Sequence, residues 1–199
     1  MTKAPRRELP ARLDPRRPLV LETRELGRRA GSMREVRRTV PAPEALRLEL
    51  VEVPPGSDIE LDLRLESVME GVLVSGTASA ELQGECGRCL EPFTGRLEVD
   101  LQELFVYPDS TTDSTADVDE VRRLEHDLLD LEPVLRDAVV LALPLTPLCS
   151  PDCGGLCAGC GQRLDDLPAG HDHEAPDPRW AALAERFGTE ESSPPEKTG

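Results

Sequence analysis

Six cysteines fall in two clusters, Cys86 and Cys89 as one CxxC pair and Cys149, Cys153, Cys157 and Cys160 much later in the chain. Close-spaced thiols answered by a distant second group are the spacing by which a fold supplies ligands to a tetrahedral metal ion. His171 and His173 bring the candidate ligands to eight, enough for two zinc ions. With 3% aromatic residues, 31% charged residues and 19 prolines, the core must be modest and aliphatic and part of the chain poorly ordered. Metal sites would add stability that such a core lacks.

Other uses of cysteine fit less well. The opening MTKAPRRELPARLDPRRP is basic and proline-rich and has no apolar signal core, so an oxidising compartment and a disulfide framework are not expected. The longest apolar run, residues 138–143, falls far short of the roughly 18 residues of a membrane span. A soluble, cytoplasmic protein is the expectation.

The net charge of -16 conceals an asymmetry. Residues 1–40 hold 12 Lys or Arg against 5 acids, and the remainder holds 11 against 34. A basic arm on an acidic body suits a phosphate backbone, and the candidate RNA contacts are Arg24, Arg28, Arg29, Arg34, Arg37 and Arg38. The plainer alternative is a solvated arginine-rich terminus, in a chain with 21 Arg and 2 Lys.

Period-two alternation predicts strands at Leu46, Leu48 and Leu50, at Ile59, Leu61, Leu63 and Leu65, at Val72, Val74, Ala78, Ala80 and Leu82, and at Leu97, Val99 and Leu101. Short turns between them imply an antiparallel meander with one polar face. The Cys86–Cys89 pair then lies at a hairpin tip, a knuckle position. DSTTDSTADVDE reads as a mobile loop. A helix follows, capped by Asp130, with Pro133 in its first turn, Leu131, Val134, Leu135, Ala138, Leu141 and Ala142 on one face, and Pro144 as its stop. Laid over the sheet, it makes an α+β arrangement. Cys157-Ala158-Gly159-Cys160-Gly161 is a second knuckle, and DPRWAALAERFG a short terminal helix with Asp177 as N-cap and Trp180, Leu183, Ala184 and Phe187 on one face. The organisation expected is a basic arm over 1–40, sheet plus helix over 41–145, a Cys/His metal-binding segment and terminal helix over 146–188, and a disordered tail over 189–199.

The pieces LVLETRELGRRAGSMREV, CGRCLEPF, LALPLTPLC, CSPDCGGLCAGCGQRLDD and DPRWAAL together make the chain resemble the YceD family of large ribosomal RNA subunit accumulation proteins. The resemblance implies a cytoplasmic, non-enzymatic factor for synthesis, processing or stability of 23S ribosomal RNA, with the RNA or large-subunit precursor particles as partners. Many relatives carry a CxC where this chain has His171-Asp172-His173, an exchange that zinc coordination tolerates and redox chemistry does not. In other relatives the later motifs are absent while the earlier CxxC persists. That separability suggests Cys86, Cys89, Cys149 and Cys153 around one ion and Cys157, Cys160, His171 and His173 around another. The rival pairing puts the four later cysteines on one ion.

Function classes separate on the same residues. A scarcity of aromatic side chains argues against a base-stacking platform, so RNA recognition would run through backbone and shape. A zinc-stabilised adaptor whose acidic body docks on a basic ribosomal protein or assembly enzyme is the alternative. An enzyme is not expected: the CxxC lies between strands rather than at a helix N-terminus, four protein ligands leave no open metal position, and no nucleophile triad or phosphate loop stands out.

Overall fold

The computed structural model describes residues 12–110 and 121–173. The chain divides into two compact units, the first ending at Cys153 and the second beginning at Gly154.

The first unit is a twisted antiparallel sheet with one helix. β1 (Val20–Glu22), β2 (Met33–Pro41), β3 (Val51–Glu52), β4 (Asp58–Ser67), β5 (Gly71–Glu85), β6 (Pro92–Val106) and β7 (Leu128–Asp130) precede α1 (Glu132–Ala142). β4, β5 and β6 run as consecutive hairpins, β2 borders β4, and β3 meets the far end of β5. β1 and β7 form a separate two-stranded pair. Alternation dictates which face is dry: Ile59, Leu61, Leu63 and Leu65 are buried and the residues between them in β4 are not. Ala80, Ala78 and Val74 lie opposite in β5, and Leu97, Val99 and Leu101 extend the row across β6. Val134, Leu135 and Val139 of α1 close over this face beside the fully buried Phe105. The arrangement is α+β, as the alternation predicts.

Several elements differ from the sequence reading. Residues 20–22 and 33–41, read by charge as part of an arm, are strands of the fold. β2 runs along an edge and buries only Val36 and Val40, so its arginines point to water and mask the strand signal. The alternating Leu46, Leu48 and Leu50 do not form a strand: Ala45 takes a positive φ of 71°, and the chain turns tightly enough for the Leu48 amide to bond the Val51 carbonyl at 2.8 Å. β6 runs from residue 92 to 106, well beyond the expected core of 97–101. Leu131, not Asp130, occupies the cap of α1, although the Asp130 carboxylate still accepts the Glu132 N–H at 3.0 Å. Leu141 and Ala142 are exposed rather than packed, although Leu143, which follows them, is buried in the core. The DSTTDSTADVDE segment from residue 111 onward and the terminal helix expected at 177–188 lie outside the described residues.

Candidate metal centres

The β5–β6 hairpin carries its tip beyond the helix-covered part of the sheet. At that tip the Cys86 N–H bonds the Glu91 carbonyl at 2.9 Å and the Leu90 N–H bonds the Cys86 carbonyl at 2.9 Å. The loop therefore folds back on itself and turns the Cys86 and Cys89 thiols to one side. Segment 147–153 closes over them, tied by the Gly87 N–H to the Pro147 carbonyl at 2.8 Å. Cys86 and Cys153 sulfurs stand 3.8 Å apart, and Cys89 and Cys149 sulfurs 3.6 Å. All four sulfurs lie within 4.8 Å of one another. A tetrahedron with metal–sulfur bonds of about 2.3 Å has sulfurs about 3.8 Å apart, whereas a disulfide needs about 2.05 Å. The four thiols thus fit one ion and not two bridges. Cys86, Cys89 and Cys153 are buried, and Cys149 forms the exposed side.

The thiols of this group shift in opposite directions. The Cys86 thiol is pulled down to about 6, chiefly by the Cys89 backbone amide, against the desolvation that would raise it. Cys149 moves upward because the Cys89 sulfur bonds its protonated form. Arg88, between the two ligands, sends its guanidinium to the Cys153 carbonyl at 2.9 Å and its own N–H toward the Cys86 sulfur at 3.5 Å. It joins the knuckle to the closing segment and sets a positive charge beside the thiols. Sequence reading passed over Arg88 because a variable position of CxxC carries no signal of its own.

The second unit repeats the device. The Cys157 N–H bonds the Gln162 carbonyl at 2.7 Å, and the Gly161 N–H bonds the Cys157 carbonyl at 2.8 Å. Glu85 pairs with Pro92 around the first knuckle, and Leu156 bridges Arg163 around the second. The residue after the second thiol is left-handed in both, Leu90 at φ 61° and Gly161 at φ 71°. His171 and His173 complete the group, with Cys160 Sγ 3.6 Å from His171 Nε2 and the two Nε2 atoms 2.9 Å apart. These four ligand atoms also lie within 4.8 Å of one another. Cys160 and His173 are exposed, so this group is wetter than the first. The Cys157 thiol is lowered, first by the Cys160 amide and then by that of Gly159. The structure therefore brings Cys86 and Cys89 together with Cys149 and Cys153, and Cys157 and Cys160 together with the two histidines; the third histidine, His126, sits exposed in a turn.

The six candidate arginines are spread along β2 and the segment before it rather than gathered at the first group. Arg24 pairs with Asp127 at 3.5 Å, Arg34 with Glu25 at 3.3 Å and Arg37 with Asp62 at 3.1 Å. Arg28 pairs with Asp109 at 3.1 Å while stacking over the Tyr107 ring at 4.6 Å. Arg38 donates to the Pro18 carbonyl at 3.2 Å, and Arg29 is exposed. Among the described residues no helix is long and apolar enough to cross a membrane.

An antiparallel sheet whose hairpin tip is a cysteine knuckle, followed by a second knuckle completed by histidines, defines a protein with two four-ligand groups able to hold a metal ion. Residues 74–185, which include every one of these ligands, match the family described as "Large ribosomal RNA subunit accumulation protein YceD", and the chain belongs to that family. It is 51% identical over 173 residues to uncharacterized proteins of Mycobacterium tuberculosis and Mycobacterium bovis, covering 87% of this chain and 83% of theirs. An uncharacterized protein of Mycobacterium leprae is 45% identical over 168 residues, 84% of this chain and 77% of its own. No solved structure matches.

Proposed function

We propose that the chain is a non-enzymatic factor for synthesis, processing or stability of 23S ribosomal RNA, and so for large-subunit assembly, with a zinc ion in each Cys/His group. The observation that carries this reading is the match to the YceD family across the residues that supply both groups. The donor sets support zinc, because thiolate and imidazole in tetrahedral arrangement suit it, and neither a group of four cysteines nor one of two cysteines and two histidines fits a hard cation. They also support a structural role for the ions: four protein ligands fill a tetrahedron and leave no place for a substrate or water. A cytoplasmic site of action follows from the same reading.

The test is depletion of the protein in growing cells, with 23S and 16S ribosomal RNA quantified against each other. A fall in 23S relative to 16S that the wild-type chain restores is the expected result; an unchanged ratio overturns the proposal. Ultraviolet crosslinking followed by sequencing of attached RNA then asks whether contact is direct.

One observation favours a second reading, in which the protein reaches the particle through another protein. Arg24, Arg28, Arg34 and Arg37 all face carboxylates of their own chain, which lowers the charge offered to phosphate. Charge reversal of Arg28, Arg29, Arg37 and Arg38 is expected to weaken association with large-subunit precursors if the arginines contact RNA. Association that survives both this variant and ribonuclease treatment assigns the contact to protein.

A further inference from the structure

β6 is bonded along one side only. β5 takes that side from Pro92 to Val106 with no break in register, and among the described residues the other side meets no strand before its last residue. At that residue the chain itself shows what the edge accepts. Residues 122–124 run parallel to β6: the Val106 N–H bonds the Arg122 carbonyl at 2.9 Å, and the Leu124 N–H bonds the Val106 carbonyl at 3.0 Å. Arg122 reaches Asp137 at 2.7 Å and Glu103 at 3.6 Å, while Leu124 is buried. The occupant of this stretch is an extended segment of basic and apolar residues.

Alternation carries the same edge onward. Because the Val106 N–H points outward, those of Leu104, Gln102, Asp100, Glu98 and Arg96 do as well. Glu98, Asp100 and Gln102 lay their side chains on the open face of the sheet, where all three are exposed. On the opposite face Leu101 shares a crevice of about 180 Å³ with Val134, Ala138 and Leu141 of α1, and Leu141 is 87% exposed. A strand laid along this edge sends alternate side chains to the two faces, so apolar residues fit the α1 side and cationic residues the open side. The carboxylates repel a phosphate backbone, and a second copy of β6 would set Glu98 and Asp100 against their own kind.

We propose that the free edge of β6, from Arg96 to Leu104, adds an extended segment of a partner protein as a further strand, with Lys or Arg beside Glu98 and Asp100 and apolar residues against Ala138 and Leu141. Main-chain bonds hold the segment, and its alternation of charge and apolarity selects it. This edge site goes beyond the ribosomal RNA reading and is tested apart from it.

The test follows amide hydrogen exchange in the full-length, zinc-loaded protein with and without a short peptide alternating arginine with valine. One control peptide has glutamate for arginine. The other has every amide N-methylated, which keeps charge and apolarity but removes the donors a strand needs. Slower exchange at the amides of Glu98, Asp100 and Gln102 with the first peptide only is expected, and binding about tenfold weaker in Glu98→Gln/Asp100→Lys. Both substituted positions are exposed, an unchanged urea midpoint reports an intact fold, and the peptide controls on the wild-type protein stand without the variant. Equal binding of either control peptide, or an unaffected double variant, overturns the site. Slow exchange of the three amides in the protein alone means that this chain or a second copy already fills the edge, and protection by a 23S ribosomal RNA fragment assigns it to RNA; either result also overturns the proposal. The 23S-to-16S ratio on depletion is read separately, so failure of the edge and failure of the ribosomal RNA role are distinguishable.

Discussion

Gly159 lies against the imidazole of His173 so closely that a β-carbon at that position would overlap the ring. The glycine between the two cysteines of the second knuckle is therefore part of how the fourth ligand is seated. Gly159→Ala is expected to push His173 out of reach and weaken metal binding at this group by about 10- to 100-fold, the range for a disturbed ligand support. Competition with a chromophoric chelator measures it, and unchanged affinity contradicts the seating argument.

Metal stoichiometry discriminates the ligand groupings. Two equivalents per chain are expected for the wild-type protein, one after Cys89→Ser and one after Cys160→Ser, with the sites lost independently. Cobalt substitution adds a spectroscopic check: the ion left in Cys160→Ser should show an all-thiolate charge-transfer band, and the ion left in Cys89→Ser a mixed thiolate–imidazole one. A single variant that empties both sites would show that the ligands are shared.

The two knuckles place different residues in one left-handed conformation, Leu90 at φ 61° and Gly161 at φ 71°. A non-glycine residue there costs about 1–2 kcal/mol. Gly161→Ala should therefore weaken its knuckle by about 1 kcal/mol, whereas Leu90→Gly should be neutral or slightly stabilising, since the Leu90 side chain is 59% exposed. Metal affinity of the first variant and urea unfolding of the second decide the matter; a large loss in Leu90→Gly would mean that its side chain has a partner.

Stability of the metal-free protein should depend on pH through Cys86. Its thiol sits near 6 when folded against 9.0 as a free group, so the unfolded chain holds the proton between these values and the folded one does not. The stabilisation is fully present above about 9, declines as pH falls, and is gone below about 6. Cys149, raised by the Cys89 sulfur, contributes with the opposite sign and only above its free value, while the lowered Cys157 of the second unit adds to the rise just below 9. Urea midpoints of chelator-treated protein should rise with pH across this window and rise less in Cys86→Ser; a flat wild-type profile contradicts the assignment.

Tyr107 and Ser67 hold each other through a buried hydroxyl–hydroxyl bond of 3.0 Å. Tyr107→Phe keeps the ring under Arg28 and removes only that bond. A loss of about 1–2 kcal/mol in denaturant unfolding is expected, and no loss would mean that Ser67 finds another partner.

The parts of the fold legible in the sequence are those whose burial alternates. Ile59 to Leu65 read as a strand because every second residue meets the core, and Cys86 and Cys89 fall at a hairpin tip because alternating segments flank them. β2 escaped because an edge strand with two buried valines and three arginines resembles a solvated arm. Leu46, Leu48 and Leu50 misled in the other direction: the alternation is real, but Ala45 turns left-handed and the segment doubles back. Leu141 looked like core because helical spacing says which face a residue shares, not how much of that face is covered. Of the metal groups, the ligands were legible in their spacing. Arg88, the left-handed Leu90 and the seating of His173 on Gly159 were not, because each depends on a contact that only the folded loop makes.

The two ligand groups differ in when they can close as the chain is made. Cys157, Cys160, His171 and His173 belong to one short stretch and can gather around an ion with little else in place. Cys89 must wait 60 positions for Cys149, across the whole of β6 and α1. If an ion is held at the hairpin tip, its four ligands are complete only after residue 153 has been made, and a chain truncated before residue 149 leaves Cys86 and Cys89 as an unfinished half-site.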